Sequence, residues 1–290
     1  MQARPRIQSL WGHAMKTILI PTEDHDTMRA VLQTARLIAR TFDSYMEGFA
    51  IRPAVGTYVT VEPVSSLAIS GAFDEDTARE AQAAFEKFMN ENGVPRAADE
   101  PATFSWAWPR TDAADDAALG SHGRVFDLIM LGRPGRDVEN PRMPPLESAL
   151  FESGRPVMIV PRTAPASLGR NILVAWNGST EQAHTNAFAM PFLNLADKVT
   201  VLASEGHIGD GPSAEQAALH LRRNGVKASA LTVKTGDRTT GEVILDHAAS
   251  LGCDLLVKSA YTQSRLRQMI FGGATRHILA HASLPVLMAH

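Results

Sequence analysis

Short, continuous apolar runs punctuate the chain. Ile18–Ile20, Leu128–Leu131, Val157–Val160, Ile172–Ala175, Leu255–Val257 and Val286–Ala289 are the clearest. None alternates apolar with polar, so each reads as a strand covered on both faces. Between these runs, apolar residues recur at helical spacing. Met28, Val31, Leu32, Ala35 and Ile38 share one face after Thr27. Ala78, Ala81, Ala84, Phe85, Phe88 and Met89 share another, which stops at Asn92-Gly93. Ala214, Ala217, Ala218 and Leu221 form a third, ended by Asn224-Gly225. The pattern predicts further strands at Thr103–Trp106 and Ala228–Val233, and helices near Asp112–His122 and Thr240–Leu251. The resulting order, β-α-β-α-β-α-β-α-β, is that of an α/β fold with helices on both faces of a parallel sheet.

That order occurs twice. Lys16-Thr17-Ile18-Leu19-Ile20-Pro21 matches Arg170-Asn171-Ile172-Leu173-Val174-Ala175. Phe126-Asp127-Leu128-Ile129-Met130-Leu131 matches Cys253-Asp254-Leu255-Leu256-Val257-Lys258, and Arg155-Pro156-Val157 matches Leu284-Pro285-Val286. Residues 16–162 and 169–290 are therefore read as two tandem five-stranded parallel-sheet domains. They are joined by the Pro/Ala/Ser-rich stretch Thr163–Leu168. Residues 1–15 read as a leader or disordered tail, with Met1 and Met15 both open as the start. The last strand of each unit, Val157–Val160 and Val286–Ala289, is apolar enough to need cover. The two are expected to pair across a pseudo-two-fold.

Composition narrows the function classes. Of 290 residues, 28 are Lys or Arg and 31 are Asp or Glu, a net charge of −3. That balance argues against a general nucleic-acid binder or a polybasic membrane protein. No apolar run reaches the ~18 residues of a membrane span. Cys253 is alone, which rules out an intramolecular disulfide and fits a reducing, cytoplasmic setting.

In open sheets of this kind, ligands bind beyond the carboxyl ends of the strands, where strand order reverses. The candidate loops are Thr22–Asp24 and Gly132–Gly135 in the first unit, and Trp176–Ser179 and Ser259–Thr262 in the second. Here the chain resembles the universal stress protein family in its tandem form. The resemblance runs through Ile172–Ser179, Gly236-Asp237-Arg238, Asp254–Val257 and, most specifically, Ala260–Gln268 followed by Phe271–Arg276. It implies a Rossmann-like fold related to the adenine nucleotide alpha hydrolases, halves paired through their last strands, and an allowance for a homodimer. Many members of the family hold ATP through the pattern G-x-x-G-(nine residues)-G-[ST]. Glycines there let backbone N–H groups approach phosphates at a helix start.

Neither unit carries that pattern whole. In the second, Ser259 and Thr262 stand at the first two glycine positions, Gly272 at the third and Gly273 at the Ser/Thr position. The hydroxyls of Ser259 and Thr262 could still bond a phosphate. The first unit keeps Gly132 and Gly135, but Pro141-Arg142-Met143-Pro144-Pro145 has no glycine. The acidic position after the first strand is Glu23 in one unit and Asn177 in the other. The resemblance thus implies an adenine nucleotide pocket, for ATP or AMP, bounded by Trp176, Asn177, Ser259, Ala260, Thr262, Ser264, Arg265, Gly272, Gly273 and Ala274. The first unit offers a reduced set, Glu23, Gly132 and Gly135.

Other features have plain readings beside sharper ones. Gly132-Arg133-Pro134-Gly135-Arg136 is an anion loop or a simple turn. His277 and His281, spaced i, i+4, are metal ligands or a packed pair, and Trp106 and Trp108 stack a base or fill a core. Asp74-Glu75-Asp76 suits a helix N-terminus. No nucleophile elbow, complete P-loop or paired-carboxylate spacing is present, so a catalytic role is not expected. The functional expectation is a cytoplasmic stress-response protein of nucleotide-binding or regulatory type. A scaffold that binds a protein partner and no nucleotide is the alternative. A slow ATP hydrolase is the third reading, without a positioned base or metal carboxylate to support it.

Overall fold

The computed structural model describes residues 15–52, 66–98, 103–110, 113–135, 141–205, 211–260 and 272–290, with residues 66–74 as backbone alone. The first unit runs β1 (Thr17–Thr22), α1 (Met28–Phe42), β2 (Tyr45–Arg52), α2 (Ser66–Glu91), β3 (Ser105–Ala107), β4 (Ala114–Asp115), α3 (Asp116–Gly123), β5 (Leu128–Gly132), α4 (Met143–Glu152) and β6 (Val157–Val160). The second runs β7 (Asn171–Ala175), α5 (Thr180–Leu195), β8 (Lys198–Ser204), α6 (Ala214–Arg223), β9 (Ala228–Val233), α7 (Thr240–Ser250), β10 (Leu255–Val257), α8 (Gly273–His281) and β11 (Val286–Met288).

Among the described residues all strands belong to one sheet, ordered β3-β2-β1-β5-β6-β11-β10-β7-β8-β9, with β4 beside β2. The order reads the same outward from the centre in both units. The central pair β6·β11 is antiparallel, with Ile159 opposite Val286 and Met158 opposite Leu287. The expected pairing of the last strands is present, and it turns two hydrophobic edges into the middle of a continuous sheet.

Strand residues alternate between two apolar layers. Ile18, Ile20, Ile172 and Val174 point to the layer containing α1, α2, α5 and α6. Leu19, Leu173 and Leu256 point to the layer containing α3, α4, α7 and α8. This is why the strands are continuous apolar runs: either face, if polar, would be buried unpaired. The repeated landmarks also meet physically. The Asp127 carboxylate accepts the N–H groups of Lys16 and Thr17 at 2.8 and 3.0 Å. Asp254 does the same for Arg170 and Asn171, at 3.0 Å each. In each unit one carboxylate thus ties the start of the first strand to the start of the fourth.

Helix ends follow local chemistry. Ser213 with Gln216, and Thr239 with Glu242, form reciprocal caps at the starts of α6 and α7. Each such cap is worth about 1 kcal/mol. Asp115 accepts the Ala118 N–H, so α3 starts at Asp116 rather than near Asp112. α2 begins at Ser66, which puts Asp74–Asp76 inside the helix and not at its N-terminus. There Asp76 pairs with Arg79 instead. Met15, grouped with the leader by sequence, is buried in the core. Trp106 and Trp108 are core residues, edge-on and tilted against Phe85 at ring distances of 5.8 and 5.3 Å.

Candidate functional site: two unequal crevices

Strand order reverses between β1 and β5, and again between β7 and β10. Each reversal opens a crevice at the carboxyl ends of the strands.

In the first unit, side chains fill the crevice. Arg142, at the N-cap of α4, grips Asp116 with two parallel bonds of 2.8 and 2.7 Å. Its Nε donates to Glu23 Oε1 at 2.6 Å. Burial still holds the Glu23 carboxyl above its usual range, against the pull of Arg142. The Gly132 face is covered as well. A Cβ there would lie 2.5 Å from Pro141 Cγ, 2.7 Å from Thr27 Oγ1 and 3.1 Å from His25 Cε1. Gly132 is thus packed against by the chain's own residues, and the Gly135 N–H is bonded to the Pro141 carbonyl at 3.3 Å. Arg133 leaves this loop and donates to the Leu279 and Ala280 carbonyls, placing its charge at the C-terminus of α8.

The second crevice is built differently. The fully buried Ser259 donates its N–H to Gln182 Oε1 at 2.7 Å, while its hydroxyl has no partner among the described residues. The Ala260 N–H is bonded to the Ala289 carbonyl at 2.8 Å. Both donors at the start of the glycine-like turn are therefore taken within the protein. Thr275 Oγ1 bonds the Ala260 carbonyl at 3.2 Å and anchors α8 to the end of β10. Gly272 is the N-cap of α8 and offers no side chain to its first N–H groups. Among the described residues, a Cβ at Gly272 or Gly273 would meet nothing within 4 Å. This helix start is positively polarised, and no described side chain covers it. Ala274 is half-buried beside it.

Asn177 accepts the Ser179 N–H at 3.1 Å in a tight turn before α5. Trp176 turns away from α8. It packs in the α5/α6 layer, and its indole N–H donates to the Pro212 carbonyl at 2.6 Å. The structure thus gathers Ser259 and Ala260 with the start of α8, and it separates Trp176 from them. Thr262, Ser264 and Arg265 lie outside the described residues.

The most consequential residue at this end is Lys258, which sequence reasoning passed over. It is 7% exposed, and its ammonium donates to the Ser259 carbonyl at 2.9 Å. Burial lowers its pKa to about 8. The available signal was a charged residue closing the apolar run Leu255–Val257 where the first unit has Leu131. Arg142, Asp116 and His25 were also missed. Nothing local marks them, since Arg142 is 119 residues from Glu23.

His277 and His281 stack with ring centres 4.5 Å apart. Among the described residues no group of three His, Cys, Asp or Glu side chains is placed to hold a metal. Burial pushes the Cys253 thiol up to about 11, which makes it a poor nucleophile at neutral pH. No helix among the described residues is long and apolar enough to cross a membrane.

With this geometry in place, comparison with known proteins is informative. The model of the universal stress protein family matches residues 169–290. The match spans the whole of the second unit, from before β7 to the end of β11. The stress-protein fold extends over both units. A universal stress protein from Archaeoglobus fulgidus DSM 4304 superposes with a TM-score of 0.67 at 13% identity, covering 95% of this chain and 96% of its own. A Pseudomonas aeruginosa UCBPP-PA14 protein assigned to universal stress proteins gives 0.53 at 17% identity, covering 95% and 93%. A protein of unknown function from Pseudomonas aeruginosa PAO1 gives 0.50 at 16%, covering 95% and 92%. No curated protein matches the sequence significantly. At these identities the superpositions speak to fold, so the chemistry of the two crevices rests on the residues described above.

Proposed function

We propose that the protein is a non-catalytic, nucleotide-holding stress-response protein of the cytoplasm, with one working crevice. The first unit is the structural partner and the second is the binding unit. The observation that carries this reading is the contrast at the start of the fourth helix. In the first unit Arg142 is held by both Glu23 and Asp116, and Gly132 is packed against by Pro141, Thr27 and His25. In the second, no described residue covers Gly272 and Gly273 at the helix start, and the matching acidic position is the neutral Asn177. An anion is favoured there by the helix start and by the charge of Lys258. The phosphates of an adenine nucleotide are the anion that the family resemblance implies.

Calorimetry with ATP, ADP and AMP tests the reading. Gly272 has φ −62° and no described neighbour within 4 Å of an added Cβ, so Gly272→Glu adds a negative charge in a backbone conformation that any residue adopts. Saturable binding that the substitution abolishes is the expected result. A specific observation favours a second reading, a scaffold that binds a protein partner. Ser259 and Ala260 have spent their N–H groups internally, so the turn offers a phosphate less than an intact glycine cradle would. No heat with any of the three nucleotides would select that reading.

A further inference from the structure

The second unit holds a cavity that the crevice does not use. It lies between α5 and α6, on the sheet face opposite α7 and α8, and measures about 480 Å³. Trp176, Asn186, Met190, Ala217, His220 and Leu221 are among its walls, and none of the described lining residues is Asp, Glu, Lys or Arg.

Comparison of the two units explains why the space exists. α2 and α6 end on the same device. Asn92 Nδ2 donates to the Phe88 carbonyl and Asn224 Nδ2 to the His220 carbonyl, each at 2.9 Å. Val94 N–H returns to Met89 at 3.0 Å and Val226 N–H to Leu221 at 3.1 Å. Gly93 and Gly225 follow with φ of +64° and +84°. Counting back from these ends, Ala217 takes the place of Phe85 and His220 that of Phe88. The neighbouring strand changes in the same sense. Trp106 faces Met46 on β2, whereas Ala228 faces Val199 at the matching point of β8. The first unit fills this layer with its own rings, and Phe85 is fully buried among them. The second has the methyl groups of Ala217 and Ala228 where the first has the rings of Phe85 and Trp106, and it keeps the backbone arrangement, which leaves a hollow.

We propose that this cavity binds a small, uncharged aromatic molecule, whose ring takes the place that the Phe85 side chain holds in the first unit. The described walls carry no Asp, Glu, Lys or Arg to pair with a ligand charge, which favours an uncharged ligand over an ionic one. Trp176 has committed its N–H to Pro212 and presents only ring surface, an apolar wall suited to stacking. Asn186 Oδ1 is taken by Gln182 at 2.9 Å, leaving its amide donors for one ligand acceptor. The volume falls within the ~300–1,000 Å³ of ligand pockets and is ample for a bicyclic ring. The site stands apart from the nucleotide reading and survives its failure.

Titration of the full chain with indole, followed by ligand-observed NMR, is the test. Saturable binding is expected, with affinity lowered at least about tenfold in Ala217→Phe, a variant that restores the ring of the first unit. Its melting temperature should equal or exceed that of the parent. If Ala217→Phe does not fold, Ala217→Leu narrows the same space with a smaller side chain. Indole that fails to saturate, or that binds parent and filled variant alike, overturns the proposal. So does displacement of indole by ATP, which would merge the cavity with the crevice. A change of oligomeric mass in the filled variant also overturns it, by making the groove an interface between copies.

Discussion

Met158 lies directly opposite Leu287 where the two units join, and both side chains are fully buried. Neither unit can expose this line of its sheet without stranding an apolar edge. Leu287→Ala should cost about 2–5 kcal/mol, and Leu287→Asp should cost more because it buries an unpaired charge. Urea unfolding followed by circular dichroism will measure both. A single transition in the parent that splits into two in Leu287→Asp is the expected signature of uncoupled units. An unchanged midpoint would mean that the joint contributes nothing.

Arg142 closes the first crevice by holding two carboxylates at once. Removing it leaves Glu23 and Asp116 facing each other in a half-buried place. Arg142→Met should therefore destabilise the protein by about 2–3 kcal/mol, discounted from the fully buried case for partial exposure. Combining it with Glu23→Gln and Asp116→Asn should recover most of that loss, since no unpaired charge remains. A single substitution costing less than about 0.5 kcal/mol would show that the clamp is idle.

Lys258 should trade stability for binding. Its ordinary pKa is 10.5 and the folded value is about 8, because burial disfavours the charge. Between these values the unfolded chain holds the proton more often than the folded one, so stability rises with pH from about 8 to 10.5. Lys258→Met should gain up to ~3 kcal/mol at pH 7, with the gain fading toward pH 10.5. The same variant should bind nucleotide more weakly, a stability gain paired with a functional loss. Denaturation midpoints across pH, with parallel calorimetry, will show whether the two effects travel together.

His25 sets the acid side. Burial lowers its pKa from 6.5 to about 4, with Asp26 opposing, and its Nδ1 lies 3.0 Å from Thr27 Oγ1. As pH falls from 6.5 toward 4 the unfolded chain takes up a proton that the folded protein refuses, and stability declines by up to ~3 kcal/mol. Below that window the decline from this group stops. His25→Gln should flatten the acid limb between pH 6.5 and 4. Equal slopes in parent and variant would assign the acid sensitivity elsewhere.

The sequence by itself determined the doubly covered strands and the pairing of Val157–Val160 with the last strand. These are legible because burial on two faces writes itself as uninterrupted apolar runs, and because a hydrophobic edge demands a partner. The Asn-Gly helix stops were equally plain, being local chemistry over a few residues. Tertiary structure alone decided that the first crevice is filled by its own side chains. Arg142 meets Asp116 across 26 residues of chain and Glu23 across 119, separations at which no spacing rule operates. It likewise decided that Ser259 would spend its N–H on Gln182, that Lys258 would be stripped of water, and that Ala217 would leave a hollow where Phe85 leaves none. Each of these depends on what another element brings alongside, and that is a property of packing rather than of local sequence.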